Sequence, residues 1–266
     1  MVLPLADDNS DRTLTPYVNY ALIAINALVF VGLQSFGADE RFTRTWSTVP
    51  LEIVTGKDIV TKDEVEFNRQ TGEIIVFPGL QPTPISVYLT LITSMFMHGG
   101  IAHILGNMLF LWIFGDNIED IMGHARYLAF YLISGVLASL AHVFSVLVFA
   151  GIDSQEMLIP SLGASGAISG VLGAYILLFP TRMVLVLLFR FLTWVPAYVA
   201  IGIWFAFQVI EGLGLLGGSQ QGVAFGAHIG GFLAGLALVI PFTQGGPKTR
   251  VERAKVRHWP DSDSGY

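Results

Sequence analysis

The stretch PSLGASGAISGVLGAY, residues 160–175, is built from small residues, carries no charge and lies between apolar runs. Its glycines (Gly163, Gly166, Gly170, Gly173) and serines (Ser161, Ser165, Ser169) admit three readings. It is a flexible joint, a face on which membrane helices pack, or a site where Ser165 acts as a nucleophile. Gly166 and Gly170 form a small-xxx-small pair, the spacing that lets two helix backbones approach closely inside a membrane.

The rest of the chain decides the setting. Of 266 residues, 53% are hydrophobic and only 13% charged, about half the charged share of an ordinary soluble domain. Five or six apolar stretches approach the roughly 20 residues needed to cross a bilayer, so the chain reads as a multi-pass membrane protein. It has no cysteine, which excludes disulfides and thiolate chemistry. The net charge is -6, with acidic residues crowding the N-terminus and residues 39–73. The basic tail KTRVERAKVRH, residues 248–258, reads as a juxtamembrane flank rather than a nucleic-acid arm. The start, MVLPLADDNSDRT, lacks both the basic opening of a signal peptide and a basic amphipathic leader. A retained first helix and a bacterial or archaeal plasma membrane are therefore expected.

Hydropathy predicts spans at about 17–34, 101–118, 127–149, 164–179, 194–213 and 223–240. The region 183–213 reads as an interfacial lead-in followed by the fifth span. A cytoplasmic segment, 1–16, precedes the membrane domain, 17–242, and a flexible basic tail, 243–266, follows it. The polar stretch 35–84 forms an extended outer loop whose turn signals and short alternating runs predict a small hairpin. Arg126, Arg182 and Arg190 mark one side of the membrane, whereas the loops 151–163 and 214–222 have no Lys or Arg. Both termini are thus expected in the cytoplasm, with Ser165 entering its span from the outer side.

Three clusters break the apolar pattern: HGGIAHILGN (98–107), GASG (163–166) and AHIGGFLAG (227–235). Polar groups at membrane depth are costly and must find partners. Ser165 and His228 can meet if the fourth and sixth spans pack through Gly166, Gly170, Gly231 and Gly235. His228 would then take the hydroxyl proton and activate Ser165. The Ser165 amide at a helix N-terminus, with His103 and Asn107 from one helix face, can supply donors for an oxyanion. No carboxylate stands on a matching face, so the pattern is a dyad. Each part also has a plain structural reading: GASG as a packing motif, Ser165 as a cap, and His103 with Asn107 as an interhelical polar pair. A metal site built on His98, His103 and His228 lacks a fitting fourth ligand.

Taken in order, HGGIAHILGNMLFLWIFGDNIED, GASGAISGVLGAY and AHIGGFLAG resemble the rhomboid intramembrane serine proteases over nearly the whole chain. The resemblance implies an all-α bundle of six transmembrane helices, here with an extended outer loop between spans one and two. It implies Ser165 as nucleophile and His228 as general base. His103 and Asn107 would be oxyanion donors, and His98 a supporting neighbour. Gly163 lies in the GxSG motif, and Gly231 and Gly235 hold span six against span four. Glu119 would tie the loop after the first span to span two. The implied substrates are transmembrane proteins cut near the outer face, with membrane lipid as the surroundings and no metal or cofactor. The sequence departs from the family at Ser169, where an aromatic ring often stacks on the catalytic histidine. Rival readings are an inactive relative that binds membrane helices, a transporter, and a purely structural bundle. The transporter reading lacks internal repeats and charges within the spans.

Overall fold

The computed structural model describes residues 2–67, 74–188, 190–212 and 225–244. In chain order, strand β1 (Val2–Asp7) leads into helix α1 (Tyr17–Leu28), which runs on through a π turn at Val29–Leu33. The polar loop that follows holds the short helices α2 (Glu40–Thr45) and α3 (Pro50–Thr55) and the hairpin β2 (Glu64–Phe67) and β3 (Ile74–Phe77). A one-turn helix α4 (Thr90–Thr93) precedes α5 (Ile101–Phe110), a π turn at Leu111–Gly115 and α6 (Asp116–Met122), which together form one continuous helix. Next come α7 (His124–Phe149), α8 (Ser165–Leu178), strands β4 (Met183–Leu188) and β5 (Phe191–Pro196), and helices α9 (Ala197–Gly212) and α10 (Phe225–Thr243).

By length and composition, three described helices can cross a membrane: Ile101–Met122, His124–Phe149 and Phe225–Thr243. Tyr17–Leu33, Val87–Phe96, Ser165–Leu178 and Ala197–Gly212 are apolar but shorter. The 14 residues of α8 extend only about 21 Å. That is less than a bilayer core of roughly 30 Å, and the loop before Ser165 pairs its backbone with the polar loop 35–84. The Thr48–Ser161 bridge provides this: each residue's amide donates to the other's carbonyl, at 3.0 and 2.8 Å.

The expectation of an all-α chain needs correcting: the fold is mostly helical, with a three-stranded sheet in the order β1-β4-β5, while the separate β2-β3 hairpin is the small hairpin expected in the loop 35–84. Where an interfacial lead-in and a span from about 194 were expected, β4 and β5 pair as antiparallel strands, and α9 begins only at Ala197. The apolar run of β4 hides the strand period from a hydropathy reading. Burial reveals it, since Val184 and Val186 face the core while Leu185 and Leu187 are less covered. β1 adds to the free edge of β4, with an irregularity at Leu5, and its Pro4 is buried against Phe110, Phe114 and Trp204. An edge strand tolerates that proline because the missing N–H belongs to no inner ladder.

The core joins α1, α5, α7, α8 and α10 around the fully buried Phe114, Tyr127, Phe130, Tyr131 and Tyr175. The Asn19 amide donates to the Leu111 carbonyl at the start of the second π turn (2.9 Å), and the Tyr127 hydroxyl donates to Asn19 Oδ1 (2.8 Å). A π turn leaves backbone groups mispaired, and here a buried asparagine supplies a partner.

Glu119 differs from its expected role. Its carboxylate accepts the amides of Val18 (2.9 Å) and Asn19 (2.7 Å), and so caps the start of α1 rather than the loop after it. The first amides of a helix lack intrahelical acceptors, and antiparallel packing brings the end of α6 to them. His124 also pairs with Glu119. The same end of the bundle fastens the N-terminal segment. Asp120 accepts the Thr13 and Leu14 amides, Arg12 pairs with Asp116, and Arg182 pairs with Asp11 at 2.7 Å. The basic tail and the loop 214–222 lie outside the described residues, apart from Thr243 and Gln244.

Asp7 makes this docking pH-dependent. Its carboxylate accepts from the Tyr175 hydroxyl (2.6 Å) and the Asn117 amide (2.8 Å). Burial raises its pKa to about 7, with Asp116 adding to the rise and Tyr175 and Arg182 opposing it. A raised folded-state pKa favours the protonated form. The associated stabilisation is complete below about pH 4 and lost as pH rises through about 7. Hydrogen exchange in β1, corrected for intrinsic rate, should therefore be faster at pH 8 than at pH 5. Asp7→Asn should abolish the difference and stabilise the docked strand at pH 8 by on the order of a few kcal/mol.

Candidate active site

Four helices converge at the end of the bundle that carries the loop 35–84. Ser165 opens α8, directly after Gly163 and Ala164. Gly163 sits at φ +121°, and a Cβ there would lie 2.9 Å from His103 Nε2, so only glycine suits the turn. The turn is anchored by the Gly163 amide, which donates to the Ser94 carbonyl at 2.8 Å. Thr48 Oγ1 lies 2.9 Å from both Ser94 Oγ and the Thr90 carbonyl, which ties the polar loop to the same point.

α10 lies against α8 with almost no side chain between them. A Cβ on Gly231 would come within 2.1 Å of the Gly166 carbonyl oxygen, and one on Gly235 within 2.0 Å of that of Gly170. On the other side, Gly166 and Gly170 face Ala138 and Ser134 of α7. This backbone contact brings together two residues 63 positions apart: His228 Nε2 and Ser165 Oγ are 2.8 Å apart. Both are partly accessible. A small cavity beside the hydroxyl, about 20 Å³, is lined by Ser94, Met95, Gly135, Ser139 and Ala227 among others, room for roughly one water.

α5 supplies the opposite wall. The Gly99 amide donates to His103 Nδ1 (3.4 Å), which leaves the ring hydrogen on Nε2, the nitrogen that faces Gly163. His103 is thus a donor beside the serine turn, as are the free amides at the start of α8. Asn107 is turned elsewhere: its amide donates to His98 Nε2 at 2.9 Å. His98 is fully buried and stacks edge-on to His103, with ring centroids 5.1 Å apart. Gln34 brackets the His98 backbone, accepting its N–H (3.0 Å) and donating to its carbonyl (2.9 Å). His98 and Asn107 therefore brace His103 from behind.

Ser169 does not reach His228. Its hydroxyl donates to the Ser165 carbonyl, one turn back along α8, at 2.6 Å. The surroundings of the histidine ring come mainly from α9. Gln208 Oε1 lies 2.5 Å from His228 Nδ1, and the Trp204 ring is 6.1 Å from the imidazole. Phe225 stands edge-on at 6.4 Å. A signal for Gln208 did exist: a lone neutral polar side chain in the apolar run YVAIGIWFAFQVIEG requires a partner.

Comparison with known proteins points the same way. A family model described as the Rhomboid domain matches residues 86–245, more than half of the chain. The chain is 30% identical over 219 residues to Rhomboid protein 1, mitochondrial, of Saccharomyces cerevisiae, covering 82% of this chain and 51% of the yeast protein. It is 36% identical over 154 residues to Rhomboid protease GluP of Bacillus subtilis, covering 57% of this chain and 26% of that protein. Over 107 residues it is 33% identical to the human Presenilin-associated rhomboid-like protein, mitochondrial, covering 36% of this chain and 27% of the human protein. The chain thus spans about half or less of the length of these relatives.

Proposed function

The chain belongs to the rhomboid family, and from that premise we propose that it is an intramembrane serine endopeptidase that cuts transmembrane substrates near the outer membrane face. The observation that carries this reading is the 2.8 Å contact between Ser165 Oγ and His228 Nε2, within the reach that proton transfer needs. As Ser165 Oγ bonds to the scissile carbonyl carbon, its proton passes to His228 Nε2. The carbonyl oxygen becomes an oxyanion beside the Ser165 amide and the His103 Nε2–H, with Asn107 and His98 holding His103 in place. Collapse of the intermediate expels the amine, which takes the proton from His228. Water, activated by the same nitrogen, then hydrolyses the acyl ester and restores Ser165.

The arrangement is read as six spans, 17–33, 101–122, 124–149, 165–178, 197–212 and 225–243, with 35–84 as the outer loop. Both termini are placed in the cytoplasm of a cell that carries the protein in its plasma or inner membrane. Arg126 and Arg182 on that side, against no basic residue in 151–163, support the orientation. A substrate helix must open before its carbonyl reaches Ser165, so Gly or Pro near the cut favours cleavage.

A fluorophosphonate tests nucleophilicity without a substrate. Mass spectrometry should find one adduct, on Ser165, and His228→Ala should slow its formation by ~10²-fold or more. Labelling elsewhere, or at equal rate in the variant, would reject the dyad.

A further inference from the structure

We infer that Gln208 is the positioning residue of the base: its amide oxygen holds His228 in the tautomer and orientation that proton abstraction from Ser165 requires. The inference rests on the reading of Ser165 and His228 as nucleophile and base.

A neutral imidazole has one N–H and one bare nitrogen. To take a proton from Ser165, Nε2 must be bare, so the hydrogen must sit on Nδ1. Trp204 and Phe225 line the ring but offer no acceptor to that hydrogen. Left unpaired in such surroundings, an N–H favours the opposite tautomer or a rotated ring. Gln208 Oε1, 2.5 Å from Nδ1, removes that ambiguity. Ser169 does not do so: its hydroxyl donates back to the Ser165 carbonyl, and the partner at Nδ1 is Gln208.

The spacing on α9 fits the task. Trp204 and Gln208 are four apart and share a helix face, so one helix supplies both a ring wall and an acceptor. An amide fixes the tautomer without a full countercharge for the imidazolium. Among the described residues, His103 and His142 act on His228 electrostatically, and neither bonds Nδ1.

Gln208→Met keeps the size and removes the acceptor. It should lower kcat by ~10- to 100-fold, the range in which loss of a tautomer-fixing partner is felt, with KM nearly unchanged. Gln208→Glu restores an acceptor and adds charge that favours the imidazolium. It should recover much of kcat while moving the acid limb of the kcat/KM profile to higher pH, and Gln208→Met should move it to lower pH. A packing role would not produce opposite shifts. Nitrogen NMR of histidine-labelled protein reads the contact without turnover: His228 should be the Nδ1–H form in the wild type and a mixture in Gln208→Met. An unchanged tautomer, or Met variant kinetics equal to wild type, would overturn the assignment. If the wild type does not cleave, or Ser165→Ala does, the protease reading fails instead, and the tautomer still decides whether Gln208 holds the ring.

Discussion

His228→Ala should lower cleavage of a transmembrane substrate by at least ~10³-fold, with the protein still folded. The ring is the only described group within hydrogen-bonding distance of the Ser165 hydroxyl on the Nε2 side, and without it the serine remains a protonated alcohol of little nucleophilicity. The residue is partly accessible and lies on α10 beside Ala227, which faces Gly166. Truncation leaves the glycine contacts of α10 in place, so thermal unfolding should change little. Substrate binding should also persist, because the loss falls on kcat rather than KM. A variant that retained more than a few per cent of wild-type kcat would place the base elsewhere.

Gly235→Ala should have the largest effect on stability. Its Cβ would sit 2.0 Å from the Gly170 carbonyl oxygen and 2.7 Å from the Gly170 Cα. These are backbone atoms of a buried helix, so no side-chain rotation relieves the clash. α8 and α10 must move apart, at a cost of ~3 kcal/mol or more. Separation also lengthens the Ser165–His228 contact, so activity should fall with stability. Gly202→Ala on α9 is the control, since a Cβ there meets nothing within 4 Å. It should be neutral or slightly stabilising, as alanine is the better helix former by roughly 0.5–1 kcal/mol. Thermal unfolding in detergent, read for both variants, separates steric contact from a general intolerance of side chains.

The long apolar helices are legible because length and hydropathy suffice for them. The expected spans 127–149 and 223–240 compare with His124–Phe149 and Phe225–Thr243. Ser165 and His228 stand out as polar groups in glycine-rich segments, and the spacing of Gly231 and Gly235 exposes a face for close approach. Other features escape a linear reading for physical reasons. The strand Met183–Leu188 is apolar throughout, so hydropathy blends it into the following helix, and its partner β1 lies some 180 residues earlier. His103 and Asn107 share a helix face, yet spacing does not reveal that Asn107 turns to His98, which sits in the loop before α5. Glu119 announces a buried carboxylate but not which end of α1 it caps. Gln208 is conspicuous in α9, but only the packing of α9 against α10 discloses His228 as its partner. Where the family often places an aromatic ring at the Ser169 position, the His228 ring here meets Gln208 and Trp204 of α9.

The most direct measurement compares wild type and Ser165→Ala, each purified into liposomes with a model substrate whose transmembrane helix carries a Gly-Ala or Pro-containing segment near its outer end. Products are identified by mass. The account predicts one cut within or beside that segment, made by the wild type and absent from Ser165→Ala although the variant unfolds at the same temperature. Equal cleavage by Ser165→Ala, or no cleavage by a folded wild type of any such substrate, would contradict it.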